Sequence, residues 1–199
     1  VNLGAKDGEN VEVRNMWGEY RHNQYLKLRL GKTYRRFGLY NEILDAVPTY
    51  IGIEPPELFD KDHLILSRTT LAMVHGSVDL GEATLSYAWM TDNGEGGAQN
   101  DAVPMGFDVR YEAGYGKYVI GTSAYFSNGD TTSDVGIGEG SPSSGVLPWM
   151  AADDFSIIGA FAETNVGGLQ LQIEFWRATH DAVRDSDAVI GVVQNAGIN

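Results

Sequence analysis

The chain contains no cysteine and no long apolar run, and its acidic residues far outnumber its basic ones. Without cysteine it can form neither a disulfide framework nor a thiolate metal site. No apolar run reaches about 18 residues, which excludes a transmembrane helix. The formal net charge is -13, from 14 basic and 27 acidic residues. This balance argues against a nucleic-acid partner, because phosphates require a basic protein surface.

Motifs for catalysis and for cofactor or metal binding are also scarce. The four histidines share no metal-ligand spacing, and no Gly-x-Ser-x-Gly nucleophile elbow occurs. The glycine-rich run over 136–140 lacks a strand–helix context, so it does not indicate a nucleotide site. The acidic loop over 92–101 lacks the EF-hand pattern for calcium. We therefore predict that the protein is not an enzyme and has no catalytic residue, cofactor or metal.

Alternation of apolar and polar residues is the main pattern in the chain. The clearest example, over 168–176, sets Leu169, Leu171, Ile173 and Phe175 against Gln170, Gln172 and Glu174. A strand sends successive side chains to opposite faces, so this strand has an apolar face and a polar face. The apolar face either packs on a soluble core or contacts lipid in an outer-membrane barrel.

The lengths of the connections between the predicted strands favour the barrel. In chain order the connections are short (20–24), long (38–62), short (79–82), long (91–104), short (113–117), long (127–153), short (164–168) and long (177–187). An up-and-down membrane barrel has short turns at one rim and long loops at the other. A Greek-key sandwich has no reason to alternate in this way. Residues 187–194 then resemble the start of a ninth strand.

We predict an all-β fold, an antiparallel up-and-down transmembrane β-barrel formed by a single domain over residues 1–199. Unpaired backbone groups at a sheet edge in hydrocarbon cost several kcal/mol each, so the strands must close. About eight strands are recognisable. An eight-stranded interior is only wide enough to be filled by side chains, whereas the inward set here is long and charged. We therefore expect this chain to be part of a wider barrel.

Aromatic residues lie at or near the ends of the predicted strands, as in the interfacial girdles of membrane barrels. They are Trp17, Tyr25, Tyr34, Tyr87, Trp89, Tyr111, Tyr118, Phe126, Phe155 and Trp176. The alternative explanation is that β-strands are rich in aromatic residues in general.

Four stretches resemble Gram-negative outer-membrane porins of the phosphate-selective type and related porins. They are Leu28–Lys32, Arg36–Glu42, His75–Tyr87 and Gly168–Trp176. The resemblance implies a barrel of about sixteen strands, often trimeric, that passes small solutes or ions by passive diffusion. The chain would then be the N-terminal half of such a barrel. Its surroundings would be the lipid bilayer and lipopolysaccharide of the outer membrane.

Charged and amide side chains on the polar faces are the candidate pore-lining residues. A basic ladder, formed by Lys27, Arg29 and Arg35, would favour anions, as rings of Lys and Arg do in pores. Further inward-facing residues follow on two later strands: Asp108, Arg110 and Glu112, then Gln170, Gln172 and Glu174. The mixed signs of the first of these sets would let it pair with the ladder.

The resemblance also implies that the third long loop, over 127–153, folds into the lumen and narrows it. Its acids Asp130, Asp134 and Glu139 would then face the basic wall across a constriction. A hydrophilic surface loop is the alternative, given the Gly and Ser content of this segment.

The competing interpretation is a secreted or periplasmic soluble β-sandwich or β-barrel that binds a carbohydrate or acts as an adhesin. The two interpretations differ in one structural respect. In the soluble protein, a second layer of the same chain must cover the apolar side chains of 169–175.

Overall fold

The computed structural model describes residues 2–6, 10–39, 41, 68–92, 103–127, 131–132 and 150–184. All of the regular elements within these ranges are strands. They are β1 Asn2–Lys6, β2 Asn10–Arg21, β3 Lys27–Tyr34, β4 Arg68–Asp79, β5 Ala83–Asp92, β6 Met105–Ala113, β7 Tyr118–Phe126, β8 Thr131–Thr132, β9 Met150–Val166 and β10 Leu169–Arg184.

The strands form one antiparallel sheet in which neighbours in sequence are neighbours in space. The order is β1-β2-β3-β4-β5-β6-β7-β9-β10, and the short β8 pairs with β9. The predicted all-β, up-and-down, antiparallel architecture is therefore confirmed. Within the described residues, the outermost strands β1 and β10 do not pair with each other, so the sheet is not closed. The same residues include no helix that is long and apolar enough to cross a membrane.

The connections within the described part of the sheet are short at one rim. Tight turns join β2 to β3, β4 to β5, β6 to β7 and β9 to β10, as the sequence predicts. The chain between β3 and β4, between β5 and β6, and between β7 and β9 is longer. The β1–β2 hairpin is an additional element that was not predicted, and its short connection over 7–9 departs from the alternation.

Two predicted loop boundaries are wrong, because the hairpin of β9 and β10 is longer than its apolar pattern. β9 begins at Met150 and β10 continues to Arg184, with Arg177 paired to Ile158 and Arg184 to Met150. An antiparallel ladder continues wherever both strands supply backbone partners, including where polar side chains replace the apolar alternation. The polar residues at 177–184 therefore do not mark the end of the strand. The predicted ninth strand over 187–194 lies outside the described residues.

The two faces of the sheet differ sharply in burial. On one face the apolar side chains are open, with Leu169 59%, Ile173 68% and Phe175 71% exposed. On the other face, Met73, Met90, Tyr125 and Ile157 are almost fully buried among other side chains.

The segment after β3 shows that the sheet curves around its buried face. The ring of Phe37 stacks on Trp176 of β10, with centroids 4.7 Å apart. Six strand spacings of about 4.8 Å separate β3 from β10, or about 29 Å across a flat sheet. Phe37 follows the last residue of β3 by only about 10 Å of extended chain, too little to span that distance even with both side chains. The buried face is therefore concave and the open apolar face convex.

Candidate functional site

A segment directly after β3 crosses the concave face and contacts four strands of the sheet. We call residues 35–39, together with Asn41, the strap. Arg35, Phe37 and Asn41 are fully buried. The strap contacts β5, β6, β7 and β10 with its side chains or its backbone.

The strap begins at a fully buried ion pair. The Nε of Arg35 lies 2.8 Å from Oδ2 of Asp92, and both side chains are excluded from solvent. The hydroxyl of Tyr125 donates to Oδ1 of the same carboxylate at 3.2 Å, and its ring lies 4.8 Å below the guanidinium. The Nδ2 of Asn41 donates to the Arg35 carbonyl at 2.7 Å. A planar guanidinium stacked on an aromatic ring and bound to a carboxylate is rigidly oriented.

A second buried carboxylate, Asp108 of β6, holds the next residue of the strap. Its Oδ1 lies 3.0 Å from Nε of Arg36 and 2.7 Å from Nε of Arg110, and its Oδ2 accepts a 2.7 Å hydrogen bond from Ser123. The side chain of Asp108 is fully buried. One buried carboxylate is therefore shared between two guanidinium groups.

The backbone of Gly38 is bound to the same group of residues. Its N–H donates to Oγ of Ser123 at 3.0 Å, and its carbonyl accepts from Nη2 of Arg110 at 2.9 Å. Gly38 has φ +65°, and a Cβ there would lie 2.7 Å from the Trp176 ring. Only glycine fits this position without strain or displacement of the tryptophan.

The far end of the strap is held by β10. The Leu39 N–H donates to the carboxylate of Glu174, which also accepts from Nε1 of Trp176 at 3.1 Å. The Trp176 ring in turn stacks on Phe37 at an interplanar angle of 20°. Glu174 and Trp176 of β10 thus contact the backbone of Leu39 and the ring of Phe37.

A separate charged cluster surrounds Glu19 of β2. Its carboxylate lies 2.6 Å from Arg21, 2.8 Å from Arg29 and 3.0 Å from His75. The guanidinium of Arg29 also lies 4.5 Å from the centroid of the Trp17 ring.

All nine predicted pore-lining residues belong to the set that faces the concave side. Two of the predicted groups are brought into networks: Asp108 with Arg110, and Glu174 with the strap. Gln170 and Gln172 both donate to Glu163 of β9, at 3.0 and 2.7 Å. Glu112 lies at the short-turn end of β6, opposite Val119.

The basic ladder stays a prediction as a pore-lining set, but two of its members have carboxylate partners. Arg29 shares Glu19 with Arg21 and His75, and Arg35 pairs with Asp92. Asp108 pairs with Arg110 and with Arg36, neither of which belongs to the ladder. The ladder was inferred from one strand, whereas its partners lie on two others: Glu19 on the adjacent β2 and Asp92 on β5, 57 residues from Arg35.

Sequence reasoning missed the strap. Asp130, Asp134 and Glu139 of the expected constriction loop lie outside the described residues, and the described parts of 127–153 include β8, which pairs with β9. The segment seen on the concave face belongs to the first long connection. Two consecutive arginines followed by Phe37-Gly38 directly after a strand are the only local signal. Trp17 and Trp176, predicted as girdle residues, belong instead to the concave face.

Comparison of the chain with models of known protein families, with curated proteins and with solved structures finds no match. The site therefore has to be interpreted from its own geometry.

Proposed function

We propose that the protein forms part of an outer-membrane β-barrel of a Gram-negative bacterium and acts as a porin for the passive diffusion of small solutes or ions. The observation that carries the proposal is the bare apolar convex face. No described residue covers Leu171, Ile173 or Phe175, which are 54%, 68% and 71% exposed. A soluble sheet would bury such a face, since large contiguous apolar patches rarely remain open to water.

Further features of the convex face suit a bilayer. The strands β5, β6 and β7 have 10, 9 and 9 residues, close to the length of about 9–11 residues that crosses a membrane as a tilted strand. Tyr20, Tyr111 and Tyr118 are exposed near the short-turn rim. Tyrosine is favoured at membrane interfaces, where its ring contacts lipid and its hydroxyl contacts water.

The concave face would line the passage, and the strap would narrow it. Arg29 and Arg35 are each paired with a carboxylate. We therefore propose weak ion selectivity in place of the anion preference expected from the sequence. We keep assembly as a homotrimer, with bilayer lipid and lipopolysaccharide around it, as part of the proposal.

A second candidate is a membrane barrel with a solid interior that anchors or displays its loops and conducts nothing. The observation that favours it is the packed middle of the concave face, where Met73, Met90, Tyr125 and Ile157 are buried with the strap. A small barrel can be filled by side chains in this way.

Conductance separates these two candidates. The purified complete barrel protein that contains this chain, refolded in detergent and added to a planar lipid bilayer in potassium chloride, is expected to give stepwise conductance, with nearly equal permeability to both ions. Detergent buffer without protein is the control. A bilayer that contains folded chain but stays silent would support the solid barrel instead.

The orientation of the two faces is testable with a matched pair of lysine substitutions on β10. Ile173→Lys places a charge on the convex face and is expected to reduce the free energy of folding into vesicles by about 2–4 kcal/mol. Gln172→Lys places the same charge on the concave face, beside Glu163, and is expected to fold like the wild type. Refolding into phospholipid vesicles under a urea gradient, followed by tryptophan fluorescence, measures both. Equal losses for the two variants would contradict the assignment of the faces.

A further inference from the structure

We propose that a groove on the convex face binds one anionic phospholipid, with an acyl chain in the groove and the phosphate at Lys117. This inference rests on the proposed location in an outer membrane. It adds that one lipid is bound at a defined place, and it names the strands that hold this lipid and the leaflet that supplies it.

The groove follows β9 between β7 and β10 and has a volume of about 530 Å³. Its floor is β9, which carries small side chains here, and its walls are the larger side chains of β7 and β10. Antiparallel pairing sets two rows across the groove, from β7 to β10: Ile120–Ala162–Ile173 and Tyr118–Thr164–Leu171. Glu163 and Gln172 also border the groove, but their side chains bind each other on the concave face.

The shape and lining of the groove fit a hydrocarbon chain. Its walls belong to strands two spacings apart, or about 10 Å, which leaves room for one slender chain above the small side chains of β9. Ile120, Leu171 and Ile173 are each more than half exposed. Binding sites for small molecules commonly have volumes of about 300–1,000 Å³ and mainly apolar linings. On the lipid-facing side of a membrane barrel, the apolar molecules that surround such a groove are lipids.

A single cation lies at the short-turn end of the groove. Lys117 directly precedes Tyr118 of the wall, and its carbonyl accepts a 2.9 Å hydrogen bond from the N–H of Asn165, which follows Thr164 of the floor. The backbone of Lys117 is therefore fixed beside both the wall and the floor. Lys117 is exposed and is the only charged residue in the two turns over 113–118 and 165–169. A flexible lysine at the membrane surface attracts the phosphate of an anionic lipid.

The position of the groove selects the leaflet. In an up-and-down membrane barrel the short turns face the periplasm. The groove begins beside two of these turns, where the exposed rings of Tyr111 and Tyr118 border it. Tyrosine favours the interface between lipid and water, so this end of the groove meets the headgroups of the periplasmic leaflet.

The opposite end of the same face has its own cation, which provides a control. Arg177 is exposed and lies two residues beyond Phe175 on β10, so both side chains are on the convex face. It is four residues from Ile173, or about 13 Å along the strand. Its charge therefore lies on the long-loop side of the groove, away from the short turns.

Five substitutions test the groove and the cation separately. Ala162→Leu fills the floor and keeps the face apolar, whereas Ala160→Leu makes the same change at the next convex-face residue of β9, outside the two rows. Ile173→Ala is a second groove variant, which removes one wall. Lys117→Gln removes the cation, and Arg177→Gln is its control because it removes the same charge at the long-loop side.

Lipid binding is measured on the complete barrel protein that contains this chain, refolded in detergent free of phospholipid. Native mass spectrometry counts the lipid molecules retained during titration with anionic phosphatidylglycerol or with phosphatidylcholine, which has no net charge. We expect the wild type to retain one lipid and to prefer phosphatidylglycerol about fivefold, the effect of one cation. Ala162→Leu should weaken the binding of both lipids about tenfold, as when about two methylene groups lose their contacts, and Ile173→Ala should also weaken both. Lys117→Gln should abolish only the preference, and the two controls should match the wild type.

The groove and the cation are judged by different results. Weaker binding in Ala162→Leu and Ile173→Ala, with Ala160→Leu unchanged, supports the groove. Unchanged binding in both groove variants, or a folded wild type that retains no lipid, overturns the site. A preference that persists in Lys117→Gln, or is lost in Arg177→Gln instead, overturns the placement of the phosphate.

Two further results separate the lipid site from its alternatives. If Ala162→Leu dissociates an oligomer and leaves lipid binding unchanged, the groove is an interface between copies of the chain and the lipid site is overturned. If the wild type conducts but its lipid binding fails these tests, the porin remains and the lipid site falls alone. A protein that stays folded and soluble without detergent overturns the membrane location and the lipid site together.

Discussion

Replacing Asp108 with alanine is expected to lower the free energy of unfolding by about 3–5 kcal/mol. Asp108 is fully buried and lies within 3.0 Å of both Arg36 and Arg110. Its removal leaves two guanidinium groups on the concave face without their shared anion, and Ser123 without its acceptor. Breaking a buried ion pair is costly because the desolvation penalty of the remaining charge persists after its attraction has gone.

Equilibrium unfolding in urea, on chain refolded into detergent micelles and followed by tryptophan fluorescence, measures this loss. Glu112→Ala is the matched control, since Glu112 lies on the same strand and face but nearer the short-turn rim, where it is only partly buried. That variant is expected to change the stability by no more than about 0.5 kcal/mol. If Asp108→Ala lowers the free energy of unfolding no more than Glu112→Ala does, the buried ion pairs of Asp108 contribute nothing to stability.

Replacing Arg35 with methionine is the second large change, with an expected loss of about 3–5 kcal/mol. The substitution removes the guanidinium partner of the buried Asp92 carboxylate, whose Oδ1 also accepts from the hydroxyl of Tyr125. It also removes the guanidinium from the face of the Tyr125 ring. The double variant Arg35→Met/Asp92→Leu removes both charges and keeps apolar volume on each side, and it is expected to recover most of the lost stability. Exchanging a whole buried ion pair for apolar side chains of similar volume is often neutral or stabilising.

The same urea titration applies to the single and double variants, and Asp92→Leu completes the cycle. A coupling energy of several kcal/mol between the two positions is the expected outcome, since they are in direct contact. If the losses simply add in the double variant, Arg35 and Asp92 act independently and the strap is not anchored by their pairing.

The local sequence was sufficient to predict the long strands of the sheet and which side chains lie on each of its two faces. In β6 and β10 the apolar set predicted from the period of two is the exposed set, and the polar set is turned to the concave side. The short turns were equally predictable, because residues such as Gly167 and Gly168 adopt positive φ angles that other residues avoid. Strand ends were less reliable, since β9 and β10 continue through polar residues where backbone pairing persists.

The candidate site was not predictable, because its contacts are long-range. Arg35 and Asp92 are 57 residues apart, Gly38 and Ser123 are 85 apart, and Leu39 and Glu174 are 135 apart. No periodicity relates residues at such separations. The sequence correctly indicated which side chains are charged and which face they occupy, but not which cation meets which anion. This is why the pairing of Arg35 with the buried Asp92 was not expected.

The sequence by itself determined an all-β chain of alternating strands joined by tight turns, because strand alternation and turn chemistry depend on neighbouring residues alone. The tertiary structure alone decided the curvature of the sheet, the path of the strap and the pairing of its arginines. Those features arise when β3 and β10 are brought within reach of each other across the concave face, and that proximity exists only after the whole sheet has formed.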